Sequence, residues 1–506
     1  MHRRNGYARR TVAMVCAVAV VAGCSSDAGV RSGPSADSRA GTLPTSTAAP
    51  GSSTTTPDGQ PSTTVVPPTV PTPAADGVGD ELFPSLGFTG IDVQHYDVVL
   101  SYDPSADTIA GSVAIDLQAT APLEVFSLDA VGLEVERVSI DGTDVAFEVG
   151  RDALVVQPIR PLNVGESAQV EVLYNAAPNA GAGVVGIPNG WFHSTGGSYV
   201  LNEPDGARTW MPCNDHPSDK ATFTFDLTVP AGMAAVANGD FVSHDSSSAG
   251  ERWVWAEAEP MATYLILLLT GDYVVSEATT SGGLPLINVT LSGDEDLLDE
   301  YVRITDEQLA FFEPFFGPYP LDRYGLAITD SFGGLAMETQ GRSLFSRDDM
   351  VGQQGYIEHL LLAHELAHQW YGNAVTPARW IDIWLNESFA TYAQWMWLEH
   401  VGFGTVDEFA LDALRARVLG ATGRPAAGDM FSFSTYDGGA TVLHALRITV
   451  GDDAFFELLR GWVQDHIGQS KSTLDFIAFA QQVTGTDLAA FFDDWLFSEN
   501  KPDDFP

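Results

Sequence analysis

Positive charge is scarce in this chain: 24 Lys and Arg stand against 67 Asp and Glu, a formal net charge of −43. Such a field repels phosphate backbones and brings few cations to displace their counterions, so nucleic acid is excluded as a partner. Charged residues make up only 18% of the chain, and the acidity reads as a solvated surface rather than a field for a specific cationic ligand. Cysteine is equally sparse, at Cys16, Cys24 and Cys213 alone, which removes any disulfide scaffold and any all-cysteine metal site. No apolar run is long enough to span a bilayer as a mature helix, and no internal repeat appears at solenoid periods. What is present is 45% apolar content over 506 residues, enough to bury a sizeable core.

Arg3, Arg4, Arg9 and Arg10 precede an uncharged apolar run from Thr11 to Gly23, the pattern of a secretory signal. Directly after it, Val21-Ala22-Gly23-Cys24 resembles the bacterial lipobox. That resemblance implies cleavage before Cys24 and lipid on both its thiol and its new amino group, and several acyl chains hold stably where one is marginal. The expectation is a lipoprotein signal peptide over 1–23 and an exported protein, anchored through lipidated Cys24 at the outer face of a bacterial cell membrane. An ordinary signal peptide with a coincidental cysteine is the alternative. Cys213 is then left without an intramolecular partner and is expected as a packed apolar side chain. Residues 24–79 are rich in Ser, Thr, Pro, Ala and Gly, too poor in large apolar groups to offset ordering entropy, and read as a disordered tether.

Folding is expected from Asp80. Short alternating apolar runs, Tyr96 to Leu100, Ser112 to Leu117, Ala168 to Tyr174 and Phe223 to Val229, separated by turn clusters such as Ile140-Asp141-Gly142, predict an antiparallel β-rich domain over 80–276. From about Leu297 the spacing becomes helical, with Leu298, Tyr301, Val302 and Leu309 on one face, and 277–506 is expected as a mostly helical domain. The fold class is therefore α+β and multidomain.

The chemistry lies at His364-Glu365-Leu366-Ala367-His368. Two histidines four apart on a helix project from one face about a turn apart, so both imidazoles reach one zinc ion while the intervening glutamate lies beside it. Eighteen residues separate His368 from Glu387, which lies near the start of a second helical pattern opening at Trp384 and can supply a third ligand, leaving one open position as in a catalytic rather than structural site. Asp382, five residues before Glu387, reads either as a carboxylate orienting a ligating imidazole or as a plain helix-start residue. His359, His216 and His444 carry no ligand spacing and read as structural, and Trp384, Trp395 and Trp397 as core.

The stretch His364 to Tyr392, with Trp370-Tyr371-Gly372-Asn373 inside it, closely resembles the aminopeptidase N-like zinc metallopeptidases, a gluzincin family. Three further segments match family motifs in order. Gly334-Leu335-Ala336-Met337-Glu338-Thr339 is similar to the exopeptidase signature G-x-M-E-N, with Leu335 and Thr339 departing from it. Asn202-Glu203-Pro204 through Pro217 is similar to the family's E-P-x-x-A-R segment. Tyr436-Asp437-Gly438-Gly439 is similar to Y-x-K-G, with Gly438 where lysine is usual.

The resemblance implies a thermolysin-like catalytic domain behind the β-rich one and one Zn2+ per chain held by His364, His368 and Glu387. Glu365 is implied as general base then acid, and Tyr436 as a hydrogen-bond donor to the transition state. Glu203 and Glu338 would bind the substrate's α-ammonium, while backbone at Gly334, Ala336 and Met337 pairs with the peptide as an added strand. The expected function is a zinc-dependent aminopeptidase acting on peptides. Two alternatives stay open: an endopeptidase or non-peptide hydrolase using the same site, and a catalytically inactive binding lipoprotein. The chain after Glu387 is long enough to finish a thermolysin-like domain through Trp495 and Phe497 but not to add the helical-repeat C-terminal domain of larger relatives, so an open cleft is expected. Oligomeric state has no sequence signal.

Overall fold

The computed structural model describes residues 77–178, 180–182, 188–330, 336–351, 355–416 and 420–506. The expected signal peptide, Cys24, nearly all of the tether and Gly334 lie outside the described residues. Among those described, no helix is long and apolar enough to cross a membrane.

The alternating segments form the expected sheets. A long hairpin, Ile91–Asp103 with Thr108–Ala119, is the spine of an eight-stranded sheet. Ser167–Ala176 and Glu134–Ile140 extend it on one side, and Ala221–Val229 and Gly250–Met261 on the other. Within the hairpin Tyr96, Val98 and Leu100 are buried and alternate with more exposed neighbours, as does Val113, Ile115 and Leu117 on its partner. This is the period-2 pattern of a sheet with one face packed. Ala221–Val229 joins the first hairpin strand in parallel, with Phe223 stacked on Tyr96 at 4.9 Å. A second sheet of five strands includes Leu268–Gly271, Gly197–Leu201 and Pro188–His193.

A third sheet starts with the hairpin Tyr273–Thr279 and Pro285–Leu291, continues through Leu326–Thr329 and Ser343–Ser346, and ends on the short edge strand Ala336–Met337. Its first strand runs through the expected domain boundary at 276/277. Apolar alternation is continuous there, so no local composition change marks a break. The core beneath the first two sheets also takes in Ile287, Val289, Met337 and Trp380 from the later half. The fully buried Arg342 ties the halves together, donating to Ala237 O at 2.5 Å and Ile287 O at 2.9 Å and lying over the Trp255 ring.

The later half is helical: α1 Leu298–Phe316, α2 Arg347–Met350, α3 Ile357–His368, α4 Trp384–His400, α5 Val406–Ala416, α6 Asp437–Val450, α7 Asp452–His466, α8 Thr473–Thr484 and α9 Ala489–Trp495. α4 is buried along nearly its whole length, including Trp384, Trp395 and Trp397. Each such ring removes a large apolar surface from water, worth about 25 cal/mol per Å². α4 is thus a central rod rather than an amphipathic surface helix, and α3 packs against it.

Candidate metal centre and active site

α3 carries His364, Glu365 and His368 on its last turn, and Glu387 is the fourth residue of α4. The packing of these two helices brings His364 Nε2 to 3.3 Å and His368 Nε2 to 3.5 Å from the same Glu387 oxygen, Oε2. Two ligand atoms bound at about 2.0–2.1 Å in a tetrahedral shell lie about 3.3–3.4 Å apart. The trio therefore fits one tetrahedral divalent ion, and its two-nitrogen, one-oxygen donor set is that of a catalytic site with an open position. All three residues are buried, where an uncompensated carboxylate would be costly.

His368 is oriented by a neighbour, and Glu387 by the turn beside it. His368 Nδ1 donates to Tyr371 O at 3.2 Å, leaving Nε2 to face the metal position. The turn after α3 is tight around Gly372, whose φ of +128° lies in the region that favours glycine, and a Cβ there would press on the Asn386 side chain at 3.1 Å. Tyr264, from the N-terminal half, donates its hydroxyl to Gly372 O at 3.3 Å and accepts from Asn386 Nδ2 at 3.1 Å, one residue from the ligand Glu387. Lys220 donates to Asn373 O at 2.7 Å. Asp382 accepts from Thr473 N at 2.9 Å and from Arg379, tying the start of α4 to the start of α8; of its two readings, the helix-start role is the one its partners show.

Four carboxylates converge on this pocket. Glu338 Oε1 and Glu203 Oε1 are fully buried and have no hydrogen-bond partner among the described residues, although Glu203 as a residue is half-buried. The carboxylates of Glu203, Glu338 and Glu387 approach within 4.8 Å of one another, as do the polar atoms of Glu338, Glu365 and His368. Burial, followed by the charges of the other carboxylates, pushes Glu203 well above the usual range. Glu365 is likewise pushed well up, first by burial and then by Glu338 and Glu387, against the pull of His368. Burial would raise Glu387 too, but the two imidazoles outweigh it and hold that carboxyl at about 2. A pocket with this much unpaired acceptor capacity is built to receive cations.

Glu338 follows the edge strand Ala336–Met337, which pairs with Ser343–Ser346 on one side and is last in its sheet. Its backbone is fastened to the metal helix by two side chains that sequence reasoning missed. Asn373 Nδ2 donates to Glu338 O at 2.6 Å, and Gln369 Nε2 donates to the same oxygen at 3.3 Å. Gln369 Oε1 in turn accepts from Gly341 N at 2.9 Å. Gln369 lies four residues after Glu365, one helical turn further on at the end of α3, whereas Asn373 lies in the turn beyond it, where no spacing signals it. Tyr436 stands at the N-terminal boundary of α6 with its ring parallel to His364, 5.9 Å between centroids and 18° between planes. Burial and the surrounding carboxylates raise its hydroxyl well above the usual value, so it stays protonated.

The remaining sequence candidates lie elsewhere. His359 accepts from Trp397 Nε1 at 3.1 Å, His216 contacts Asp80 at 3.2 Å, and His444 lies between Tyr392 and Asp407. Cys213 is buried and free.

Comparison with known proteins agrees with this geometry. Residues 92–265 match the peptidase M1 N-terminal domain and residues 301–495 the peptidase family M1 domain. The crystal structure of an M1 zinc metallopeptidase from Deinococcus radiodurans is similar at a TM-score of 0.75 and 32% identity, covering 84% of this chain and 99% of that one. A mutant of that protein has been solved bound to a Tyr-Ser-Ala substrate. Among curated relatives, Aminopeptidase 2 of Candida albicans is 25% identical over 80% of this chain and 47% of its own length. Leucyl aminopeptidase of Saccharolobus solfataricus is 26% identical over 81% of this chain and 54% of its own. The chain thus spans about half the length of the curated relatives it matches.

Proposed function

Because the chain belongs to the M1 peptidase family, we propose that it is an aminopeptidase that releases N-terminal residues from peptides. A single zinc ion would be held by His364, His368 and Glu387, whose donor atoms all lie within 4.8 Å of one another. The observation that carries the exopeptidase reading is the pair of buried, unpartnered carboxylate oxygens on Glu203 and Glu338 beside that trio. An α-ammonium is the group on a peptide that such a pair would bind, because burial of two uncompensated acceptors is costly until a cation arrives.

When bound, zinc supplies a Lewis acid that lowers the pKa of a water and polarises the scissile carbonyl. Glu365 takes a proton from the attacking water and passes it to the departing amine, acting as base and then as acid. Tyr436 donates its hydroxyl hydrogen to the carbonyl oxygen as negative charge develops there. Glu203 and Glu338 hold the ammonium and so set the register at one residue from the N-terminus. The edge of Ala336–Met337 that is unpaired among the described residues offers backbone groups to the substrate strand.

Export and anchoring through lipidated Cys24 belong to the same proposal. They rest on the Val21-Ala22-Gly23-Cys24 segment behind the basic, apolar leader, and a loss of membrane association in Cys24→Ala is the expected result. The test of function is a panel of aminoacyl reporters, free and N-acetylated, with and without a chelator. Free-amine reporters should be cleaved and the chelator should abolish cleavage. Equal turnover of N-acetylated peptides would favour an endopeptidase instead.

A further inference from the structure

Tyr436 can act on the reacting carbonyl only if the turn that carries it is held in place, and that turn lies in a region of the sequence far from the metal helices. Its backbone is gripped at successive carbonyls. Thr422 Oγ1 donates to Ser434 O at 2.7 Å, and Ser388 Oγ donates to Thr435 O at 2.6 Å. The second of these matters most, because Ser388 follows the metal ligand Glu387 directly and Thr435 precedes Tyr436 directly. One short bond therefore joins the two residues adjacent to the metal carboxylate and the hydroxyl donor. Ser388 and Thr435 are both fully buried, so no water competes for the bond.

The approach that makes this bond possible depends on a missing side chain. Gly439, in the first turn of α6, lies so close to α4 that a Cβ there would fall 1.7 Å from Ser388 Oγ and 2.6 Å from Ser388 Cβ. That clash is with the donor itself, so any larger residue at 439 would push α6 away from α4 and break the link.

From this geometry we infer that Ser388 is a positioning residue for Tyr436: it locks the Tyr436 turn to the backbone of the metal ligand, with Gly439 providing the space. The inference rests on the proposed role of Tyr436 and deepens it. A group misplaced by about 1 Å can lose about 10²-fold in rate, and loosening one backbone tie should cost part of that.

The test is a double-mutant cycle on the zinc-loaded, full-length protein. Ser388→Ala is expected to lower kcat about tenfold with KM and zinc stoichiometry unchanged. In a Tyr436→Phe background, the same substitution should change kcat by less than about twofold, because the group it acts through is already gone. Ser388→Cys keeps nearly the same volume with only a weak donor and should fall between, which keeps the test valid should the alanine variant misfold. An equal loss in the Tyr436→Phe background overturns the inference, since the effect would not pass through the tyrosine. So does loss of zinc in the Ser388 variants, which would mean that the serine serves Glu387, and so does an unchanged kcat. If Tyr436→Phe alone leaves turnover intact, the failure lies with the assigned role of the tyrosine and not with the tie.

Discussion

Replacing Glu338 by Gln isolates the feature on which N-terminal counting depends, because it removes one negative charge at nearly constant volume. The carboxylate oxygens of Glu203 and Glu338 lie within 4.8 Å of each other. An ammonium at about 2.8 Å from both, the usual charge-assisted distance, bridges oxygens up to about 5.6 Å apart, so a single cation can satisfy the pair. At an effective dielectric of about 20, a unit charge pair at about 4 Å interacts by about 4 kcal/mol. Desolvation of the ammonium offsets part of that, and truncated buried charge pairs lose about 2–5 kcal/mol. Taking about 2–4 kcal/mol, kcat/KM for a free-amine aminoacyl reporter should fall about 30- to 1000-fold in Glu338→Gln. The same change should have an opposite effect on the unliganded fold. The charge of Glu338 raises both Glu203 and Glu365 after burial has done so, and removing it relieves repulsion, so the variant should melt at a higher temperature in the absence of substrate. Steady-state kinetics with free and N-acetylated reporters, alongside thermal melts, reads both effects. A loss of less than about threefold on the free-amine reporter refutes the reasoning, as does a lower melting temperature at equal zinc content.

Three further outcomes are expected. Glu365→Gln should retain one zinc per chain by elemental analysis and lose about 10²–10⁴-fold in kcat; near-normal turnover with zinc bound would remove Glu365 from the chemistry. Gln369→Leu should leave zinc stoichiometry intact and raise KM for free-amine reporters about tenfold, since about 1–1.5 kcal/mol of hydrogen bonding to Glu338 O and Gly341 N is lost; a parallel loss of zinc would show that Gln369 supports the metal instead. Asp219, which accepts from Asn214 and Val93, is pushed up to about 7 chiefly by burial, from 3.8 in an open chain. Its folded state therefore binds the extra proton between those values, and its contribution makes stability fall as pH rises through that window. Asp219→Asn should shrink the difference in unfolding free energy between pH 5 and pH 8 by about 2–3 kcal/mol, and a denaturation series with the wild-type difference would contradict that sign.

Much of this arrangement was legible in the sequence because it is periodic. Alternation predicted the strands around Tyr96, Val113 and Phe223, and the i, i+4 spacing predicted that His364 and His368 share a helix face. The helical pattern from Trp384 to about His400 predicted a second helix carrying Glu387, and α4 is that helix. The break between the halves was not legible at 276/277, because Tyr273–Thr279 keeps the same alternation as the strands before it while pairing with Pro285–Leu291 after it. Strand period records which face is buried and carries no information on which sheet the strand joins.

The supports of the site were illegible for a different reason, and the turn after α3 shows it most clearly. Four successive carbonyls there, on Tyr371, Gly372, Asn373 and Ala374, each accept a hydrogen bond. The donors are His368 Nδ1, the Tyr264 hydroxyl, the Lys220 ammonium and Gly468 N. Three of those donors come from positions about a hundred or more residues away. A main-chain carbonyl is common to every residue type, so the acceptors leave no mark on the sequence of the turn, and a lone Tyr or Lys on a distant strand or loop has no spacing that announces its target. The chemistry-bearing atoms, by contrast, are side chains whose types are demanded by the ion and the proton transfers. Motifs therefore expose the reacting groups, while the backbone-directed ties that hold them at 3.3 and 3.5 Å from one another become visible only in the folded chain. It follows that Lys220→Met, in a residue with no contact to any ligand, should weaken zinc retention against a competing chelator while leaving the spectrum of the folded protein unchanged.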